Sequence, residues 1–410
     1  MSYFPITQIG YSDSASIDAF ARLRVSEPYT VFDSKQVYTN NSLLWSEKTN
    51  GVGASIAYNS DKSESQLTVG TVSGEYAIRQ TKQYMVYQPG KSHMILITGN
   101  AQGAKANVVK RTGYFDDNDG VFFELDGLDF NVVLRSSTSG SPVDTQVAQA
   151  SWNIDPMDGT GPSGVLLDVT KCQIMFFDLE WLGVGRVRCG WVIDGIPVYC
   201  HQFLNANNIT EAYMKTATLP VRFEIRNSGV AASSSTIQAI CCCVLSEGGY
   251  NPKARELSID NGITAKTFTS TLTPLIQIRL NSSYIRGSID PISIEFMGTT
   301  TGDFYRWALI LNPTVTGGTA ANWQTISHSI AQYDIAAIGA VTLGTIIASG
   351  YFASGGGGAV GSNNVKNTSL ESSIKIAADI DGTSDVLVLA AQTITGSGDL
   401  FGSIHWRESV

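Results

Sequence analysis

Charge is scarce in this chain. Only 15% of its 410 residues are Asp, Glu, Lys or Arg, against about 25% in ordinary soluble proteins. The formal net charge is -9 and the basic residues never gather into a patch, so nothing offers a footprint for nucleic acid or phosphate. The opening residues, Met1-Ser2-Tyr3-Phe4-Pro5, lack a basic stretch followed by an apolar core; no secretion signal is read, and folding in a cytosol is expected. The six cysteines (172, 189, 200, 241, 242, 243) contain no Cys-x-x-Cys pair, and no histidine stands at zinc-finger spacing. They are read as small buried hydrophobes, with a disulfide between Cys189 and Cys200 left open. His93, His201, His328 and His405 are far apart, and neither Gly-x-Ser-x-Gly nor His-Glu-x-x-His occurs. These absences assign no catalytic residue, no metal ligand and no cofactor, and the chain is expected not to be an enzyme.

Helical periodicity is also missing. Residues 335–352 form an uncharged run of membrane-spanning length, but Gly339, Thr342, Gly344, Thr345, Ser349 and Gly350 interrupt it. It is read as two packed strands, in the core or at a subunit contact, with no membrane insertion. What the chain has instead is 40 glycines, abundant Ser, Thr and Asn, and short alternating runs broken by turn residues every 8 to 15 positions. That texture predicts an all-β protein: an antiparallel β-sandwich of the concanavalin-like jelly-roll kind over 51–250, then a second, smaller β-sandwich over 251–410. The boundary falls at Glu247-Gly248-Gly249-Tyr250-Asn251-Pro252. Residues 1–50 read as an assembly arm carrying Tyr3, Phe4, Phe20, Arg22, Arg24 and Phe32, or equally as a strand laid along its own domain.

The stretch from Gly164 to Asn207 is the most legible. Cys172 to Glu180 is apolar and aromatic enough for a buried strand. The loop Trp181-Leu182-Gly183-Val184-Gly185 returns the chain into Arg186 to Ile193, and Asp194-Gly195, a strong hairpin signal, leads into Ile196 to His201. Antiparallel pairing places Glu180 opposite Arg186 and Asp178 opposite Arg188 on one face, and Leu179/Val187, Phe177/Cys189 and Met175/Trp191 on the other. The first face is read as a structural ion ladder of Asp178, Glu180, Arg186 and Arg188.

Asp178 and Glu180, two apart on one face, resemble the catalytic strand of laminarinase-like glycoside hydrolases, which place Glu, Asp and Glu at alternate positions. Here Phe176 stands at the first position, and Arg186 and Arg188 are expected to hold both acids ionised. The acidic turns at 116–120 and 379–385 fit tight turns better than calcium loops, since Gly120 stands where a ligand belongs. Trp45, Trp152 and Trp323 are read as core or interface residues rather than sugar platforms.

Five further blocks resemble those of a poorly characterised family of virion proteins of tailed bacteriophages: Asp18 to Ser26, Phe32 to Lys35, Tyr87 to Ser92, Trp181 to Arg188 and Ser246 to Tyr250. The resemblance implies a structural, fibre-like or tail-associated particle component, assembled in the host cytoplasm with other virion proteins. It brings no catalytic residues. The neutral polar surface suits close packing of subunits in a homo-oligomer, the resemblance implies that a trimer is favoured, and a host-surface glycan is a second kind of partner.

Overall fold

The computed structural model describes residues 17, 18, 20, 22, 28–251, 254–299, 302–354, 365–366 and 374–409. Among these there is no α-helix, only two short 3-10 turns at Gln149–Ser151 and Ser282–Tyr284. Among the described residues no helix is long and apolar enough to cross a membrane. The chain divides into two compact units, residues 1–81 with 85–251, and residues 82–84 with 252–410.

The first unit is an antiparallel sandwich of fifteen strands: β1 (Tyr29–Lys35), β2 (Trp45–Asn50), β3 (Ser55–Asn59), β4 (Glu64–Val69), β5 (Tyr76–Thr81), β6 (Ser92–Asn100), β7 (Val108–Phe115), β8 (Gly120–Asp126), β9 (Asp129–Ser136), β10 (Val143–Ala148), β11 (Gln173–Leu179), β12 (Val187–Ile193), β13 (Ile196–Phe203), β14 (Val221–Asn227) and β15 (Ser235–Glu247). One sheet runs β13-β12-β11-β6-β15-β4-β3 with β1 added on β15, and the other runs β10-β9-β8-β7-β14-β5-β2. Side-chain alternation fills the space between them: Ile95, Ile97, Phe177, Leu179 and Trp191 from the first sheet meet Val121, Phe123, Val132, Val221 and Phe223 from the second. Phe123 and Trp191 have ring centroids 3.8 Å apart, and Trp152 stacks on Trp191 at 5.6 Å. Rings of this size each remove about 200 Å² from water, a gross gain of about 5 kcal/mol apiece.

The meander has the expected register: Met175 faces Trp191, Phe177 faces Cys189, Asp178 faces Arg188 and Leu179 faces Val187. Asp194 and Gly195 adopt φ of 50° and 82°, the two positive angles that a type I′ hairpin needs. A bulge after Cys189 sets that residue opposite His201 rather than Cys200. Both thiols are free, with Cys200 Sγ donating to the Cys189 carbonyl at 3.3 Å.

Of the two N-terminal readings, residues 29–50 follow the strand laid along its own domain and not the arm. Phe32 is no arm residue: it lies in β1, is 6% exposed, and its ring meets Trp45 edge-on at 6.5 Å. β1 pairs with β15 and β2 with β5, so residues 29–50 belong to the sandwich. The strand is hard to see in the sequence because β1 is bulged between Thr30 and Phe32, which breaks the period of two. Tyr3, Phe4 and Arg24 lie outside the described residues.

The second unit also packs two antiparallel sheets. One orders residues 255–260, 398–409, 288–298 and 365–366; the other orders 324–325, 331–334, 273–280, 386–393, 304–311 and 345–353. Phe268, Leu275, Phe296, Tyr305, Trp307, Leu389 and Trp406 form its core. The run 335–352 supplies the short strand 340–342 and most of the edge strand 345–353.

Candidate functional site

On β11, Met175, Phe177 and Leu179 point into the core, so Phe176 and Asp178 point outward together with Arg188 of β12 and Tyr199 of β13. Arg188 Nη2 donates to Asp178 Oδ2 and, at 2.8 Å, to the Ile17 carbonyl. The guanidinium lies 4.5 Å from the Tyr199 ring centroid, and Tyr199 Oη donates to Asp178 Oδ2 at 3.3 Å. Both members of the pair are fully buried. Low dielectric strengthens their attraction, and both charges have given up hydration to form it.

Glu180 differs from the expected ladder rung. Its Oε1 accepts the backbone N–H of Arg186 at 3.1 Å, while Oε2 is buried without a hydrogen-bond partner. Burial pushes its carboxyl above the ordinary glutamate range; Asp18 and Asp178 push the same way, against Arg186. At Glu180 the Arg186 guanidinium is outweighed by burial, so the carboxyl is not held below its ordinary range as a ladder rung would be. Gly185 is required here, because a Cβ on it would stand 2.3 Å from Glu180 Cγ. The direction of the Glu180 shift favours the protonated form relative to a free glutamate. Asp178 is not suited to attack, being sealed beneath Arg188 and Tyr199.

A segment far away in sequence covers this face. Asp18 Oδ1 accepts the N–H groups of Phe20 and Arg22, both at 2.9 Å, and Arg22 Nη2 pairs with Asp18 Oδ2 at 2.6 Å. Arg22 lies 4.9 Å from the Phe20 ring centroid and its Nη1 donates to the Gly90 carbonyl at 3.1 Å. Around this turn the segments at Tyr87 to Ser92, Trp181 and Glu247 to Gly248 meet. Trp181 N donates to Tyr87 Oη at 3.0 Å, Lys91 Nζ donates to the Gly248 carbonyl, Ser92 Oγ bonds Glu247 at 3.2 Å, and Tyr29 stacks on Tyr250 at 5.1 Å.

The loop after Glu180 also shapes a cleft. Tyr213 Oη donates to the Glu180 carbonyl at 2.7 Å, Tyr213 N to the Gly183 carbonyl at 2.9 Å, and Asn205 Nδ2 to the Gly185 carbonyl at 2.7 Å. Thus fastened, residues 203–213 face β9 and β10 across an open cleft of about 450 Å³. Ser136, Thr138, Thr145, Asn208, Thr210 and Glu211 line it, with Phe203 and Tyr213 as buried aromatic wall. The cleft was not read from the sequence. Its one signal is the run Asn205-Ala206-Asn207-Asn208, a turn former in which Asn207 takes a φ of 61°.

A second missed feature covers the outer face of the other sheet. Arg111 pairs with Glu124 at 2.6 Å and Glu224 at 3.0 Å, Arg226 reaches Glu224 at 2.7 Å, and Arg222 joins Asp117 to Glu224. The Arg111 and Arg135 guanidinium groups lie 5.5 and 5.1 Å from the Phe122 ring centroid. This lattice is a larger ion ladder than the one expected on β11 and β12. In the acidic turn, Asp116 Oδ1 accepts the N–H groups of Asn118 and Asp119, and Asp119 Oδ1 those of Ser137 and Lys215; these carboxylates close the turn. Among the described residues no group of three or more His, Cys, Asp or Glu is placed to hold a metal ion. Trp45 and Trp152 are buried, and Trp323 lies half-buried with Arg279 4.2 Å from its ring centroid.

No family model matches the sequence, and no curated protein does. Solved structures do match about half of the chain. They include a glycoside hydrolase family 16 endo-glucanase from Bacteroides ovatus, at 10% identity over 52% of this chain and 99% of that one, with a TM-score of 0.35. Others are a legume lectin-like domain from Entamoeba histolytica (10% identity, 53% and 98% covered, TM-score 0.32) and arcelin-5, a lectin-like defense protein from Phaseolus vulgaris (8% identity, 54% and 99% covered, TM-score 0.31). The class defined here is an all-β chain of antiparallel jelly-roll type. The expectation that the chain is not an enzyme is corrected: glycoside hydrolases stand among the matches, and that expectation is withdrawn.

Proposed function

We propose that the chain is a glycan-binding attachment protein that takes neutral host-surface saccharide into the cleft between β9–β10 and residues 203–213. The observation that supports this is the lining: hydroxyls of Ser136, Thr138, Thr145 and Thr210, the Asn208 amide and one carboxylate, beside two aromatic rings. Hydroxyl-rich, uncharged ligands are held by such neutral donors and acceptors. A cleft of about 450 Å³ is in the range of small-ligand sites, which run from about 300 to 1,000 Å³. The full chain applied to a glycan array will bind a restricted set of saccharides. The double variant N208A/T210A will lose about tenfold or more in affinity, two hydrogen bonds being worth about 0.5–1.5 kcal/mol each. Unchanged binding by that variant sinks the reading. The same saccharides test hydrolysis, a role favoured by the raised Glu180 carboxyl: reducing ends released by the wild type and not by E180Q would make this unit a hydrolase.

A second reading, a tailed-phage particle component assembled in the host cytoplasm as an oligomer, rests on the five sequence blocks and on four of them meeting around Tyr87, Trp181 and Arg22. Residues 29–50 belong to the sandwich, so the assembly test must spare them. A chain lacking residues 1–16 will fold with an unchanged melting temperature and be missing from purified particles by mass spectrometry. Incorporation at normal copy number removes the arm from the proposal.

A further inference from the structure

Glu75, just ahead of β5, is 3% exposed, and among the described residues no Lys or Arg pairs with it. It is the only charged side chain in the three loops that meet there, 50–54, 70–75 and 227–231. Its Oε1 accepts one N–H, from Gly53 at 2.7 Å, and its Oε2 is buried with no partner. An ionised carboxylate taken out of water with a single hydrogen bond is costly unless a positive charge accompanies it.

The surroundings are built of oxygen and bare backbone. Asn227, also 3% exposed, donates through Nδ2 to the Gly70 and Val72 carbonyls at 3.1 and 3.0 Å, and its Oδ1 is a second buried acceptor without a partner. The two residues are tied together by Asn227 N donating to the Glu75 carbonyl at 2.8 Å. Glycine backbone presses directly on the carboxylate: a Cβ at Gly70 would stand 2.7 Å from Oε2, and one at Gly53 2.9 Å from both oxygens. Two unpartnered oxygens from a carboxylate and an amide, with no sulfur or imidazole, suit a hard cation that accepts irregular oxygen coordination.

We propose that Glu75 and Asn227 hold a calcium ion that fastens the 50–54, 70–75 and 227–231 loops at this corner of the first unit. With a single carboxylate, affinity falls in the weak class, a Kd of about 0.1–1 mM. The test uses the full chain, stripped with EDTA, in calorimetric titration with CaCl2 and in melts with EDTA or 10 mM CaCl2. The wild type will give one binding event, and calcium will raise its melting temperature by about 5 °C. E75Q will bind no calcium and, in EDTA, will melt at or above the wild type, because the unpaired charge is gone. E75D, which keeps the charge but shortens its reach, will bind at least tenfold more weakly. No heat and no shift for the wild type overturns the proposal, as does an E75Q variant that binds calcium like the wild type.

Discussion

Replacing Arg188 with alanine will destabilise the first unit by about 3–5 kcal/mol, the loss expected when one member of a fully buried ion pair is removed. Arg188 neutralises Asp178, donates to the Ile17 carbonyl and packs on Tyr199. Without it, Asp178 is left charged at 0% side-chain exposure, and the 17–22 turn loses its anchor on the sheet. The contrast that isolates the charge is the double variant D178L/R188M, which removes both charges at similar volume. It will recover most of the loss, since buried ion pairs are close to neutral against well-packed apolar replacements. Urea unfolding followed by tryptophan fluorescence measures all three chains. An R188A chain within 1 kcal/mol of the wild type would show that the pair does not hold this face.

The second large effect is acid destabilisation centred on His93. Its ring is completely buried between Tyr87 and Tyr114, at 5.3 and 6.4 Å between centroids, and neither ring nitrogen has a hydrogen-bond partner. Burial lowers its pKa from 6.5 to about 4. As pH falls below 6.5 the unfolded chain takes up this proton while the folded chain refuses it. Stability is therefore full above 6.5, falls between 6.5 and 4, and stops falling through this group below 4. The shift corresponds to about 3 kcal/mol over that window. His201 is lowered to about 4 as well, again by burial, and its Nδ1 accepts the Asn153 N–H at 3.2 Å as a neutral ring does. The informative quantity is thus the difference between wild type and H93F, a ring of similar size with nothing to titrate. Unfolding free energies at pH 7 and pH 4.5 will show a markedly smaller loss in H93F, and equal losses in the two chains would remove His93 as the cause.

Both predictions concern the stretch that is easiest to read and its immediate neighbours. The sequence by itself determined what neighbouring segments decide between themselves: the meander from Cys172 to His201, its register, its Asp-Gly turn, and the sorting of Phe177 inward and Asp178 outward. A hairpin of known loop length fixes its own pairing, and alternation then assigns the faces. Tertiary structure alone decided what joins residues far apart. β6 between β11 and β15, β14 between β7 and β5, and β1 on β15 are long-range pairings with no local signal. From them come the Arg111–Glu124–Glu224 lattice, the cover of Ile17 over Arg188, the cleft walled by residues 203–213, and the glycine-backed carboxylate of Glu75. The state of Glu180 belongs to the same group. Pairing rules placed it opposite Arg186, yet burial and two nearby acids, Asp18 and Asp178, raise its carboxyl against that arginine. Burial is a property of the assembled sandwich, and the pattern of one strand does not contain it.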